Sequence, residues 1–166
     1  MKRILKRVFV GLMVLVLLIQ FYPRPEKNKA AGPQPNHIST LYPIPANVET
    51  ILKSSCYDCH SNNTDYPWYS NIQPIAWWLG DHIEEGKSHL NFAAFANYGL
   101  AKQYHKLEEV TSEVKEGVMP LESYTFIHRD ADLTTEQRQL LTSWADDVRS
   151  LMSQKYPADS LIRKKK

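Results

Sequence analysis

Ser55–Ser61 reads SCYDCHS, and it holds the only two cysteines of the 166-residue chain. Two cysteines separated by two residues serve three kinds of chemistry. A structural zinc site needs a second Cys or His pair at ligand spacing, and none stands elsewhere. A thioredoxin-like redox site sits where a strand runs into a helix, and the flanks here do not read as strands. The third pattern is C-x-x-C-H, in which Cys56 and Cys59 hold a c-type haem through two thioethers and His60 is the axial ligand of its iron. The spacing has a mechanical reason. Two thiols on one turn grip one edge of a porphyrin, and the next residue aims its imidazole at the metal. Such attachment takes place outside the cytoplasm, so the reading is strengthened by export signals.

The chain opens MKRILKR and continues VFVGLMVLVLLIQFY from Val8 to Tyr22, with Gln20 the one polar residue. Basic residues before an apolar run and no comparable cluster after it follow the positive-inside pattern. No A-x-A-like cleavage site follows, and no spare cysteine is available for lipid attachment. The expectation is therefore an uncleaved anchor over residues 1–22, a single-pass placement in the cell membrane, and a domain on the periplasmic side. Residues 23–45 contain Pro23, Pro25, Pro33, Pro35, Pro43 and Pro45, which cannot sit in helix interiors, and read as a semi-extended tether. His37 in this stretch reads as a solvated side chain. Residues 46–156 form the domain and residues 157–166 a basic tail ending Arg163-Lys164-Lys165-Lys166. A net charge of +2 gives no footing for a nucleic-acid partner.

The domain reads as all-α. Val48, Ile51, Leu52 and Ser55 fall at helical spacing and lead into Cys56, with Asn47 a plausible cap. Pro74 opens a second helix carrying Ile75, Trp78, Leu79, His82 and Ile83 on one face, with Gly86 as its stop signal. Tyr104, Leu107, Val110 and Val114 make a weaker stripe ending at Gly117. Thr134-x-x-Gln137 is a capping-box pattern, followed by Leu140, Leu141, Trp144, Val148 and Leu151 on one face. No segment alternates long enough to be a strand.

A haem iron held by His60 has another axial position. Met119 lies in KEGVMPLESY between two helices, and Pro120 stiffens the loop that would carry its thioether to the metal. A methionine can equally fill a core gap. His128, in YTFIHRD, is the alternative axial ligand. His82 reads as a core residue or a partner for a haem propionate, and His89 and His105 as surface residues. Tyr66, Trp68, Tyr69, Trp77 and Trp78 follow the motif and supply the ring faces a haem pocket uses.

The stretches 56–92 (CYDCHSNNTDYPWYSNIQPIAWWLGDHIEEGKSHLNF), 105–110 (HKLEEV) and 116–134 (EGVMPLESYTFIHRDADLT), then the Trp144 helix, resemble the haem-binding domain family of small bacterial proteins. Its members typically have an N-terminal membrane segment and one C-x-x-C-H site. The resemblance implies one covalent haem c on Cys56 and Cys59 with His60 axial. It also implies a small cytochrome c-like order of haem helix, Met-Pro loop and final helix, preceded by a membrane helix, with Met119 as second ligand.

Three functions compete. A six-coordinate His/Met haem points to electron transfer with an unidentified redox partner protein, and to a carrier rather than an enzyme. An open sixth position points to a sensor of small gas molecules. A peroxidase-like enzyme needs distal acid-base groups, for which His82, or His128 with Arg129, are candidates.

Overall fold

A computed structural model describes residues 1–163 of the chain, so Lys164–Lys166 of the expected basic tail lie outside the described residues. Among the described residues eight α-helices run in the order α1 (Lys2–Ile19), α2 (Ala46–Ser55), α3 (Tyr57–His60), α4 (Ile75–His89), α5 (Leu100–Lys115), α6 (Glu122–Thr125), α7 (Thr135–Lys155) and α8 (Ala158–Leu161). Short 3-10 turns at Ile38–Thr40, Trp68–Asn71, Phe92–Asn97 and Arg129–Ala131 fill the connections. Among the described residues there is no β-strand, only an isolated bridge between Lys29 and Asn63.

The long pair α5 and α7 forms the frame. Leu107 and Val114 from α5 meet Leu141, Trp144, Ala145, Val148 and Met152 from α7 in one core, each buried Leu, Val or Met side chain stabilising by about 1.5–3 kcal/mol. The capping box at the start of α7 is present: the Gln137 N–H donates to Thr134 Oγ1 (3.2 Å) and the Thr134 N–H to Gln137 Oε1 (2.8 Å). Met152 rather than Leu151 completes the buried stripe, Leu151 being half exposed. On the outer edge Arg149 reaches Glu108 (2.8 Å) and lies over the Tyr104 ring, an exposed pairing that adds at most about 1 kcal/mol. In α2 the cap position is Pro45, and Asn47 lies inside the helix with its side chain on the Val48 N–H.

The expected membrane helix is corrected. No helix of the described residues is long and apolar enough to cross a membrane. The first helix includes Lys2, Arg3, Lys6 and Arg7. Its uncharged part, Val8–Ile19, is roughly 18 Å long at 1.5 Å per residue, against about 30 Å of hydrocarbon. The helix stops at Gln20 because that side chain turns to the domain: its amide donates to the Gln73 carbonyl and its oxygen accepts the Gln73 N–H, both at 3.0 Å. The single-pass membrane localisation, with the domain on the periplasmic side, falls with the span.

The proline-rich stretch that follows is extended and held against the domain. Pro23 O accepts the Trp77 Nε1–H (3.0 Å). Asn28 donates its N–H to Tyr66 (2.8 Å) and its amide to Ser61 O and Thr64 Oγ1 (both 2.9 Å), while Lys87 donates to Asn28 Oδ1 (2.6 Å). Ile38 is fully buried in the core and Trp144 donates to Pro43 O (3.3 Å). Residues 157–161 are likewise docked, with Leu161 buried against the α5–α7 frame.

Candidate functional site

The site begins where α2 gives way to α3. Cys56 leaves helical geometry (φ −129°, ψ −45°), and the next turn closes on its carbonyl, which accepts the N–H of Cys59 (3.2 Å) and His60 (2.9 Å). Asp58 braces the turn from outside: its Oδ1 accepts the Asp65 N–H (2.8 Å) and its carbonyl accepts the Thr64 hydroxyl (2.6 Å). His60 donates from Nδ1 to the Leu90 carbonyl (2.9 Å). This bond fixes ring orientation and tautomer and leaves Nε2 with its lone pair free, the arrangement of a metal-ligating histidine. Burial pushes the His60 pKa down, which keeps the ring neutral.

The carbonyl is brought to His60 by the end of α4, and the close approach of α3 and α4 depends on Gly86. A Cβ at Gly86 would stand 2.8 Å from the Cys59 carbonyl oxygen and 3.1 Å from the Cys59 Cβ. Gly86 is therefore no stop signal: α4 continues through it to His89, and the Gly86 carbonyl accepts the Leu90 N–H (2.9 Å).

Cys56, Cys59 and His60 line a cavity of about 450 Å³ whose walls also include Gly86, Phe92, Val110, Val114, Leu133 and Leu141. Met119, Pro120, Leu121 and Tyr124 line the same cavity. Met119 arrives there through the C-terminus of α5. Gly117 adopts φ +75°, its N–H donates to Val114 O (3.3 Å), and the Val118 N–H returns to Glu113 O (2.9 Å). This is a Schellman turn, which only a glycine enters at low cost. The Met119 N–H also donates to Glu113 O (3.1 Å). From α7, Arg138 Nη1 donates to Val114 O (3.1 Å) and Met119 O (3.3 Å). From α6, the Tyr124 hydroxyl donates to Asp58 Oδ2 (2.7 Å), a bond that, after burial, raises the phenol pKa.

Of the sequence-predicted site residues, Cys56, Cys59, His60 and Met119 share this cavity and His128 does not line it. The His128 ring stacks on Tyr124 (4.3 Å between centroids), and its nitrogens face Tyr69 Oη (3.1 Å) and the Tyr124 carbonyl (3.3 Å). His82 and His89 line the cavity, His82 with Nδ1 on the Trp78 carbonyl (2.9 Å). His105 pairs with Glu108 and Glu109 on the surface of α5. The five aromatic residues after the motif lie elsewhere: Trp68 is 77% exposed, Tyr66 and Trp77 hold the proline-rich stretch, and the ring faces at the cavity belong to Phe92 and Tyr124. Sequence reasoning missed Gly86, Leu90, Tyr124 and Arg138. A glycine inside a helical pattern signals close packing as well as a stop, which is the signal that Gly86 carried.

Burial pushes the Cys56 thiol up to about 12 and the Cys59 thiol up to about 11. Redox-active C-x-x-C cysteines show the opposite, a depressed pKa that exposes a thiolate. Compared with known protein families, the chain matches the one described as haem-binding domain, over residues 14–147. The chain belongs to the haem-binding domain family. It matched none of the curated proteins and none of the solved structures it was compared with. As a haem-binding protein it has a cavity that fits the group. The volume lies in the usual 300–1,000 Å³ range for bound cofactors, and the lining is mostly apolar. Its lining carries the imidazoles of His60, His82 and His89, the Met119 thioether and the Cys56 and Cys59 thiols, groups of the kind that hold a haem.

Proposed function

We propose that this haem-binding protein is a monohaem c-type electron carrier. Cys56 and Cys59 would hold haem c through two thioethers, His60 would be one axial ligand, and Met119 the other. A haem so held supplies a one-electron ferric/ferrous couple. The observation that carries the reading is the convergence of both thiols, the anchored imidazole and the thioether on one apolar cavity. The chain's own residues supply what electron transfer requires. Leu90 O holds His60 in one orientation, the α5 turn holds Met119 in one place, and Phe92, Leu133 and Leu141 exclude water. Ligands that stay in place when the charge changes keep reorganisation small. Of the groups considered for a peroxidase-like reaction, His128 and Arg129 do not line the cavity, Arg129 lying over the Phe126 ring (5.1 Å), while His82 does line it, with Nδ1 on the Trp78 carbonyl.

The test uses protein produced with a c-type maturation system. Its colour is expected to stay with the chain after denaturation and acid-acetone extraction, and to become extractable in the Cys56→Ala/Cys59→Ala double variant. The oxidised protein is expected to be low-spin with a weak sulfur-to-iron band in the red, which Met119→Ala removes while the bound haem remains. A haem that extracts freely from the unaltered chain rejects covalent attachment. A high-spin oxidised protein that binds carbon monoxide readily once reduced rejects the carrier reading in favour of ligand binding.

A further inference from the structure

The Met119 loop is fastened to two different parts of the fold. On one side Arg138, in the first turns of α7, donates through one nitrogen to both the Val114 and Met119 carbonyls. Its other nitrogen lies 3.7 Å from Asp132 Oδ1. The guanidinium thus ties the loop to the end of α5, where helix carbonyls lack intrahelical partners and favour a cation. On the other side Tyr124, five residues after Met119, donates to Asp58, one of the two residues between the cysteines (2.7 Å). The loop is joined through this bond to the turn that would hold the haem.

We infer that Arg138 and Tyr124 are positioning residues for the Met119 thioether, holding it in the cavity that Cys56, Cys59 and His60 also line and so setting how firmly the sixth position is closed. The inference rests on the Met119 reading above. Neither side chain need touch the iron. Arg138 acts on the ligand residue's own carbonyl, so its loss lets the backbone carrying the sulfur move away. Tyr124 acts at the far end of the same loop, and its loss frees α6 from the attachment turn. A thioether is a weak ligand for ferric iron, so a loop that moves by little opens the site.

The experiment compares the haem-loaded full chain with Met119→Ala, Arg138→Gln, Arg138→Lys and Tyr124→Phe, each checked for helix content by far-ultraviolet circular dichroism. The readouts are the red sulfur-to-iron band, carbon monoxide binding to the reduced protein, the reduction potential, and amide hydrogen exchange at Val118 and Met119. Losing one hydrogen bond is expected to raise the open fraction roughly fivefold, so Tyr124→Phe weakens the band, speeds carbon monoxide binding by that factor and lowers the potential, and Arg138→Gln, which loses the guanidinium's bonds to two carbonyls, does so by at least as much. Arg138→Lys, which keeps a cation and one donor, restores part of the effect. Exchange at Val118 and Met119 rises in Arg138→Gln, with core amides of α7 unchanged. If Met119→Ala removes the band but both Arg138→Gln and Tyr124→Phe match the unaltered protein in band and carbon monoxide binding, the inference is overturned and the Met119 reading stands. If Met119→Ala leaves the band and spin state unchanged, both fall. Should Arg138→Gln not fold, Tyr124→Phe, which removes a single oxygen, decides alone.

Discussion

At His37 an imidazole takes the place that serine or aspartate usually holds at a helix start. Nδ1 accepts the Ser39 N–H (3.2 Å) and the ring edge packs on Tyr57 (5.6 Å between centroids). Burial lowers its pKa, against an opposing pull from Glu49. Protonation would put a hydrogen on the accepting nitrogen, so the folded chain favours the neutral ring. A base with a lowered folded pKa contributes stability that is present above its unfolded value, about 6.5, and is lost as pH falls through the folded value. Below pH 6.5 the unfolded chain binds more protons, so stability rises with pH there. The midpoint of urea unfolding should drop between pH 7 and pH 5, and the drop should be smaller in His37→Asn, which keeps a side-chain acceptor without titrating. His60 has a shift of the same sign, so some slope should persist. Equal slopes in both proteins would show that His37 is not a contributor. The cap also shows why this residue was misjudged: a histidine in a proline-rich stretch looks solvated until Tyr57 is folded against it.

At the scale of elements, α3 and α4 are set by one missing side chain. Replacing a helical glycine with alanine normally favours the helix by about 1 kcal/mol. At Gly86 the added Cβ would press on backbone, the Cys59 carbonyl at 2.8 Å, which has no flexible end to swing away. Gly86→Ala should therefore lower the melting temperature and disturb His60, whose carbonyl partner Leu90 follows directly. Gly99, which precedes α5 with nothing within 4 Å of an added Cβ, is the control: Gly99→Ala should leave the haem spectrum unchanged. A Gly86→Ala protein with unaltered melting and spectrum would mean that the two helices separate freely. The periodic stripes of α5 and α7 were legible because long amphipathic helices write their buried face every three to four residues. The true face of α4 was not. Ala76 and Ile83 are buried there while Ile75 and Trp78 stay about 40% exposed, a choice set by which side of α4 the rest of the domain packs against.

Across the whole molecule, the first helix and the stretch after it differ in what they contribute. No residue of Lys2–Ile19 is buried, whereas Gln20, Pro23, Asn28 and Ile38 are bonded or packed into the domain. A chain starting at Gln20 should match the full chain in unfolding free energy to within about 0.5 kcal/mol, the range for changes away from packed features. A chain starting at Gly32 loses the Gln20, Pro23 and Asn28 hydrogen bonds, each contributing about 1 kcal/mol net, and should be less stable by at least about 2 kcal/mol in denaturant titration. Equal stability of the two truncations would show that the extended stretch does not hold to the domain in solution.

The C-x-x-C-H motif, the helical class and the methionine between Gly117 and Pro120 were legible in the sequence alone, because each is a local pattern. C-x-x-C-H lies on one turn, a helical stripe repeats within one element, and a glycine that allows φ above zero marks its own helix end. Charge-flanked apolar residues at the N-terminus were legible too, but helix length is a property of the folded chain, and Gln20 ends α1 by pairing with Gln73 more than fifty positions away. Tertiary structure alone decided which histidines line the cavity, which aromatics line it, and which side chains hold the Met119 loop. Those depend on contacts between distant segments, Tyr124 with Asp58 and Arg138 with Met119, and neither residue's partner can be read from the pattern around it. A hydrogen bond is satisfied in space, while a sequence records only its donors and acceptors.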